Sequence, residues 1–424
     1  MDKQSLLQYY RNHTEQMLLP FWIRALDHQH GGVYNCFNNR GDRLVSKDKY
    51  TWSQGRFLWV WSKIAAMITG NRLSGQSVEF YEHARKTARF IEENAFLDNG
   101  NCAFLLTETG EKKEPVRGDG FDTSIFADCF IVLGLTEFSG LTNDSERFED
   151  VLKLYDRIRA RLESGDFRSE PYPEPPGYRS HSFPMIMLNV TQNLTDVAEK
   201  LHHSRREALL LDSKAYMQDI MENFVQSDYR VVEMLPDNPA DKSTLLYRHV
   251  NPGHTIECMW FVMQTARKTG QSDYIQKAVL AIKKAVELGW DREFGGLLRF
   301  VDMTGGEPAG DKRTTAFEEL ITDTWDMKLW WPHSEALYAT LMGYEQTGSK
   351  IMLDLHHQFR NYVFETFPNT DQSIGEWVQI RNRKGEPLDK IAALPVKDPY
   401  HIFRNMLLSI ELLEESIITK TKHN

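Results

Sequence analysis

Apolar residues recur along most of this chain at the i, i+3, i+4 spacing that puts them on one face of a helix. Residues 4–18 carry Leu6, Leu7, Tyr10 and Met17 in this way. Residues 52–69 carry Phe57, Leu58, Val60, Trp61, Ile64 and Ala65, and 77–96 carry Val78, Tyr81, Ala84, Ala88 and Ile91. The same period predicts helices near 122–140, 146–163, 183–201, 205–226, 254–270, 272–289, 325–347, 349–367 and 399–419. A second, alternating pattern stands between some of them. Gly31-Gly32-Val33-Tyr34 leads to Phe37 and Gly41, Gly295-Gly296-Leu297-Leu298 to Phe300 and Gly305, and Gly375-Glu376-Trp377 to Asn382 and Gly385. Each run reads as a short β-hairpin. Regularly spaced helices joined by short hairpins suggest a closed ring of paired helices. The predicted architecture is all-α: an (α/α)6 barrel with short β-hairpins at one end, built by residues 1–424 as one domain. No long Ser/Gly/Pro linker breaks the chain. The proline- and tyrosine-rich stretch SEPYPEPPGYRSHS, Ser169 to Ser182, is expected to cap one mouth of the barrel.

Composition narrows the function classes. Fifty Lys and Arg stand against 60 Asp and Glu, a net charge of −10. That balance argues against nucleic-acid and anionic-membrane partners, which need clustered cations. Ten Trp, 16 Tyr and 23 Phe suit deep pockets and sugar-stacking surfaces as well as core. The four cysteines, Cys36, Cys102, Cys129 and Cys258, form no CxxC or Cys/His metal pattern and read as buried thiols of a reducing compartment. The first residues lack the apolar core of a signal peptide, and no uninterrupted apolar run reaches the ~20 residues of a membrane span. A cytoplasmic protein is the expectation. No Walker loop, no GxGxxG after a strand, no HExxH and no GxSxG is present.

The candidate chemistry lies where polar residues interrupt apolar faces at helix starts. In Asn251-Pro-Gly-His254-Thr-Ile-Glu257, a turn opens a helix on which His254 and Glu257 share one face. A carboxylate so placed can hold a histidine and tune its pKa. In Asp398-Pro-Tyr-His401-Ile-Phe-Arg404, a proline turn again precedes a histidine with a charge three residues on. Two histidines at equivalent helix starts, facing each other across a barrel mouth, suit removing a proton from one side of a carbon and returning it to the other. Arg56 opens a strongly apolar helix beside Trp52, and a buried arginine needs an anionic partner, such as an enediolate intermediate. Trp330 and Trp331, beside Pro332 and ahead of Glu335, suit stacking on a sugar ring, while His333 reads as structural.

In this order the blocks resemble the N-acylglucosamine 2-epimerase family. The resemblance is carried by LLPFWIRALDHQHGG from Leu18, KYTWSQGR from Lys49, SIFADCF from Ser124, NPGHTIECMWF from Asn251, KLWWPHSEAL from Lys328 and DPYHIFR from Asp398. It implies an (α/α)6 barrel and aldose 2-epimerisation or aldose–ketose isomerisation without metal or redox cofactor. It implies His254 and His401 as the two proton carriers and Arg56 and Arg404 as holders of substrate oxygens. Glu257 and Glu335 would orient the histidines or assist ring opening, and Trp330, Trp331 and Trp52 would form the sugar platform. Related cellobiose epimerases and aldose–ketose isomerases carry a further histidine in the helix around 183–195, which here reads SFPMIMLNVTQNL. That departure leans towards the N-acylhexosamine branch, for which the resemblance implies ATP as a candidate allosteric activator and a homodimer. The expected reaction is interconversion of N-acyl-D-glucosamine and N-acyl-D-mannosamine. The alternatives are epimerisation or isomerisation of mannose, glucose and fructose, a glycoside hydrolase using Glu257 and Glu335, and a protein-binding role.

Overall fold

The structure is a computed structural model that describes residues 2–423. Twelve helices dominate it. They are α1 (Lys3–Asn12), α2 (Thr51–Thr69), α3 (Ser77–Asn94), α4 (Ile125–Thr142), α5 (Ser145–Ser164) and α6 (Ser182–Lys200). The second half adds α7 (Arg206–Asp219), α8 (Pro252–Thr269), α9 (Ser272–Gly289), α10 (Trp330–Thr347), α11 (Lys350–Thr366) and α12 (Tyr400–His423). α1 runs on through a π-helical turn at His13–Leu18 into Leu19–Arg24, and α7 through another at Ile220–Phe224.

The even-numbered helices form an inner ring. Each packs on the next, from α2 through α12, and α12 returns to α2. The odd helices pack outside: α3 on α2, α5 on α4, α7 on α6, α9 on α8, α11 on α10, with α1 closing the circle on α12. Burial follows position. Fourteen of the 18 residues of inner helix α4 are buried, against six of the 20 of outer helix α5. An inner helix has neighbours on both sides and behind, so it needs no polar face. α4 is therefore long and apolar enough to cross a membrane, although here it is barrel wall. Two glycines let the inner ring close tightly. A Cβ on Gly55 would lie 2.3 Å from the Phe130 carbonyl oxygen, and one on Gly134 would lie 2.3 Å from the Gly55 oxygen. α2 and α4 thus touch backbone to backbone.

The expected hairpins are smaller than the alternating runs suggest. After α1, α9 and α11 the chain turns back and makes one bridge to the end of the same outer helix: Leu26 with Val33, Trp290 with Leu297, Pro368 with Trp377. Phe96 with Cys102 and Val225 with Val231 repeat the device after α3 and α7. The last was hidden because Tyr229, not a glycine, takes the positive φ of 67°. Antiparallel ribbons run into four inner helices. Lys49–Tyr50 pairs with Leu105–Leu106, Tyr178–Ser180 with Met234–Pro236, His249–Val250 with Val301–Asp302, and Lys328–Leu329 with Ile380–Arg381. The helix expected from 325 therefore begins only at Trp330. Met327, Leu329 and Trp331 alternate as in a strand, and buried Lys328 is tied to Asp291 at 3.2 Å. The four cysteines are buried and free.

Candidate active site

The ribbons gather at the N-terminal ends of the inner helices, and a cavity of about 250 Å3 opens there. All six inner helices line it. His254 and Glu257 come from α8, Trp330 and Trp331 from α10, and His401 and Arg404 from α12. Trp52 and Arg56 of α2, Phe126 and Phe130 of α4, and Ile186 and Asn189 of α6 form the facing wall. Of the nine candidate site residues, eight line the cavity, and Glu335 stands behind the lining, fully buried.

His254 is placed by a local signal. Asn251 caps α8 by accepting the His254 backbone N–H at 3.1 Å, and Pro252 occupies the first turn, where its missing N–H costs nothing. Its ring partner is not Glu257, three residues on, but Glu233, whose Oε2 accepts the Nδ1–H at 2.9 Å. Glu233 is buried beside the ribbon of Tyr178–Ser180 and Met234–Pro236. That ribbon also brings His181 to within 3.7 Å of its other oxygen. The sequence did carry a signal for it: one acid inside the apolar run Val231-Val232-Glu233-Met234-Leu235. Depth in the barrel disfavours the charged His254 ring, but the Glu233 charge and hydrogen bond outweigh it, and the His254 pKa is raised. Glu233 is lowered in turn: burial pushes it up, yet the His254 charge and hydrogen bond, with His181 close by, prevail.

His401 has its own carboxylate. Its Nδ1–H donates to Glu335 Oε1 at 2.6 Å. The same oxygen accepts from Arg404 Nη2 at 2.6 Å, and the other accepts the Trp260 indole N–H at 2.7 Å. Arg404 also donates to Glu257. Burial pushes Glu335 up, but the Arg404 charge and the His401 bond hold it below the usual carboxylate range. Glu257, Glu335 and His401 place ligand atoms within 4.8 Å of one another, which is spacing a metal ion could use. Arg404 Nη2 already bonds both carboxylates and lies 3.4 Å from His401 Nδ1, so a guanidinium fills the cation position.

Trp331 joins the two histidines. Its ring centroid lies 5.3 Å from that of His254 and 5.6 Å from that of His401. Gly253 makes room for it: a Cβ there would lie 2.6 Å from Trp331 Cη2. Each ring has its Nδ1 committed to a carboxylate, which can only accept, so each Nε2 is the atom left for the cavity. Arg56 is ion-paired with Asp398 and lies over Phe130, with its Cζ 3.9 Å from the ring centroid. Its other flanks are Trp52 and Tyr400. His333 is structural: Nδ1–H donates to the Leu329 oxygen at 2.6 Å, Nε2 accepts from the Leu297 N–H at 2.8 Å, and burial pushes its pKa down to about 3.

The mouth is covered where the proline-rich stretch was expected. Pro171, Tyr172 and Glu174 line the cavity with Ala392 and Leu394 of a later loop. Arg299 ties the two loops together. It donates to the Ala392 oxygen at 2.9 Å and to Thr324 Oγ1 at 3.1 Å, and the Tyr172 hydroxyl donates to the same Ala392 oxygen. Like Glu233, Arg299 interrupts an apolar run, Leu297-Leu298-Arg299-Phe300-Val301.

Known proteins resemble this chain in sequence and fold. Bovine (Bos taurus) N-acylglucosamine 2-epimerase is 30% identical over 405 residues, covering 93% of this chain and 88% of that protein. Cellobiose 2-epimerase of Bacteroides fragilis is 24% identical, covering 94% and 96%. Among solved structures, cellobiose 2-epimerase from Bacillus thermoamylovorans B4167 superposes with a TM-score of 0.75 at 19% identity, covering 96% of this chain and 99% of that one. It has the (α/α)6 barrel. The sequence model of the N-acylglucosamine 2-epimerase (GlcNAc 2-epimerase) family matches residues 32–405, and the chain belongs to that family.

Proposed function

We propose that this protein is a sugar 2-epimerase that interconverts N-acyl-D-glucosamine and N-acyl-D-mannosamine. The observation that carries the reading is the pair His254 and His401. Each is held by its own carboxylate through Nδ1, each leaves Nε2 for one shared cavity, and Trp331 stands between them. The open-chain sugar exposes a C1 carbonyl, which acidifies the proton on C2. One neutral imidazole takes that proton on Nε2, leaving an enediolate-like anion. The other, as imidazolium, gives its Nε2 proton to the opposite face of C2. The protonation states of the two rings are exchanged by each turnover, so the same site runs in both directions.

The anion has support nearby. The inner helices present their N-terminal ends, the positive ends of their dipoles, to the cavity. Arg56 lies among the lining residues with its charge only partly spent on Asp398. Arg404 is committed to Glu257 and Glu335, so its part is to hold His401's carboxylate in place. The same clamp speaks against hydrolysis by Glu257 and Glu335. Hydrolases set two carboxyls on opposite sides of the scissile bond, about 5–10 Å apart. Here both bond one guanidinium nitrogen.

The N-acyl substrate is supported by the family's N-acylglucosamine 2-epimerases and by α6, whose cavity face carries no histidine. The test is a panel of N-acetylmannosamine, N-acetylglucosamine, mannose, glucose, fructose and cellobiose, with and without ATP, followed by NMR. Interconversion of the two N-acetylhexosamines carries the reading. Turnover of only the unmodified sugars would overturn the substrate, and a ketose product would mean that the proton returns to C1.

A further inference from the structure

One polar group lining the cavity has no use in the chemistry above. Asn189 stands on the inner face of α6, more than nine-tenths buried, and its Oδ1 has no hydrogen-bond partner. A buried amide left unbonded costs stability, so its presence needs a reason outside the protein's own bonding. The surroundings are specific. Met185 and Ile186 lie one turn earlier on the same helix face, and both line the cavity. Phe183 stacks on Phe126 of α4 with ring centroids 5.5 Å apart and planes at 11°. A carboxamide therefore stands beside the apolar patch of Phe126, Phe183, Met185 and Ile186.

The stereochemistry of C2 says what this wall faces. In the enediolate-like intermediate the substituents of C2 lie in one plane. Two proton carriers must flank that plane, one on each face. His254 and His401 stand on α8 and α12, and Trp331 of α10 closes the edge between them. The in-plane substituent that points away from Trp331 meets the wall built by α2, α4 and α6. In an N-acylhexosamine the nitrogen on C2 is such a substituent.

Resting on the reaction proposed above, we infer that Asn189, Ile186 and the Phe126–Phe183 pair form the subsite for the substrate's N-acyl group. A secondary amide offers one N–H and one carbonyl, and a carboxamide offers the complementary acceptor and donor. The acyl carbons lie against Ile186 and the two phenyl rings, where a bare C2 hydroxyl would gain nothing.

Two variants test this on the whole enzyme. Asn189→Leu keeps the volume and removes the unbonded amide. The expected result is a KM for N-acetylmannosamine raised at least about tenfold, with no fall in Tm. A purely structural asparagine would do the reverse. Ile186→Ala opens the wall, and the ratio of kcat/KM for N-butanoyl- over N-acetylmannosamine should rise about tenfold. An unchanged KM in the first variant, a Tm that falls with it, or an unchanged ratio in the second overturns the subsite. If the wild-type enzyme turns over N-acetylmannosamine and the variants behave as wild type, the subsite alone fails. If the wild type epimerises only unmodified sugars, both readings fail together, and this is seen before any variant is made.

Discussion

Glu233 accepts the Nδ1–H of His254 at 2.9 Å, although 21 positions separate them in the chain. Among the described residues, no Lys or Arg shares this carboxylate in the way Arg404 shares Glu335. The two histidines are therefore set in different electrostatic surroundings: His254 faces a carboxylate that also lies near His181, and His401 a carboxylate bonded to a guanidinium.

The first prediction concerns catalysis. Glu233→Gln keeps a hydrogen-bond acceptor but removes the charge that raises the His254 pKa. The wild-type His254 ring keeps its proton above the ordinary histidine value of about 6.5. In the variant it should lose that proton at lower pH. The alkaline limb of the rate profile should move down in pH, with kcat lower by at least about tenfold. A limb that stays in place would show that Glu233 does not tune the proton carrier.

The same pair gives stability a pH signature. His254 has a raised folded pKa, so its contribution is complete below about pH 6.5 and is lost as pH rises through the raised value. Glu233 is depressed, so its contribution is present above about pH 4.3 and is lost as pH falls through the lowered value. The Tm gap between wild type and Glu233→Gln should be widest between those two pH values. A gap that is flat from pH 4 to 9 would contradict the pairing.

Arg404→Met is expected to be severe for a different reason. It leaves Glu257 and Glu335 buried beside each other without their shared cation. Losing one partner of a buried ion pair costs about 3–5 kcal/mol. Adding Glu335→Gln should return part of the lost Tm, because one of the uncompensated charges is gone. A single variant as stable as the wild type would mean that the clamp carries no weight.

Gly55→Ala tests the ring itself. The added methyl would lie 2.3 Å from the Phe130 carbonyl oxygen, which belongs to a helix backbone and cannot step aside alone. Overpacking of this kind costs about 1–3 kcal/mol. Activity should fall as well, because Arg56 follows Gly55 and lies on the Phe130 ring. Unchanged thermal unfolding would show that α2 and α4 have slack.

Much of this was legible in the residues. The 3.6-residue period marks all twelve ring helices, because each has at least one apolar face to bury. His254 and His401 stand out because helix starts with Pro and Asn or Asp are local signals, and Trp331 and Glu335 because they flank Pro332 at the Trp-Trp-Pro start of α10. What escaped is what only the closed ring brings together. His254 and Glu257 share a helix face, yet Glu233 takes His254 and Glu257 turns to Arg404. The ribbon that delivers Glu233 pairs segments more than 50 positions apart, Ser180 with Met234, and no local pattern encodes that. Asn189 escaped for the opposite reason: an isolated polar residue in a helix is ordinary until its lack of a partner is seen.

The central claim is that two histidines work on opposite faces of one carbon, and isotope exchange at C2 reads this directly. In deuterated water the wild-type enzyme should place deuterium at C2 of the epimer formed from N-acetylmannosamine. His254→Ala and His401→Ala should each lower interconversion by at least ~10²-fold. Each should still exchange the C2 proton of one epimer, a different one for each variant, because the remaining histidine reaches only its own face. Interconversion by the wild type without deuterium at C2, or a variant that interconverts at the full rate, would contradict the account.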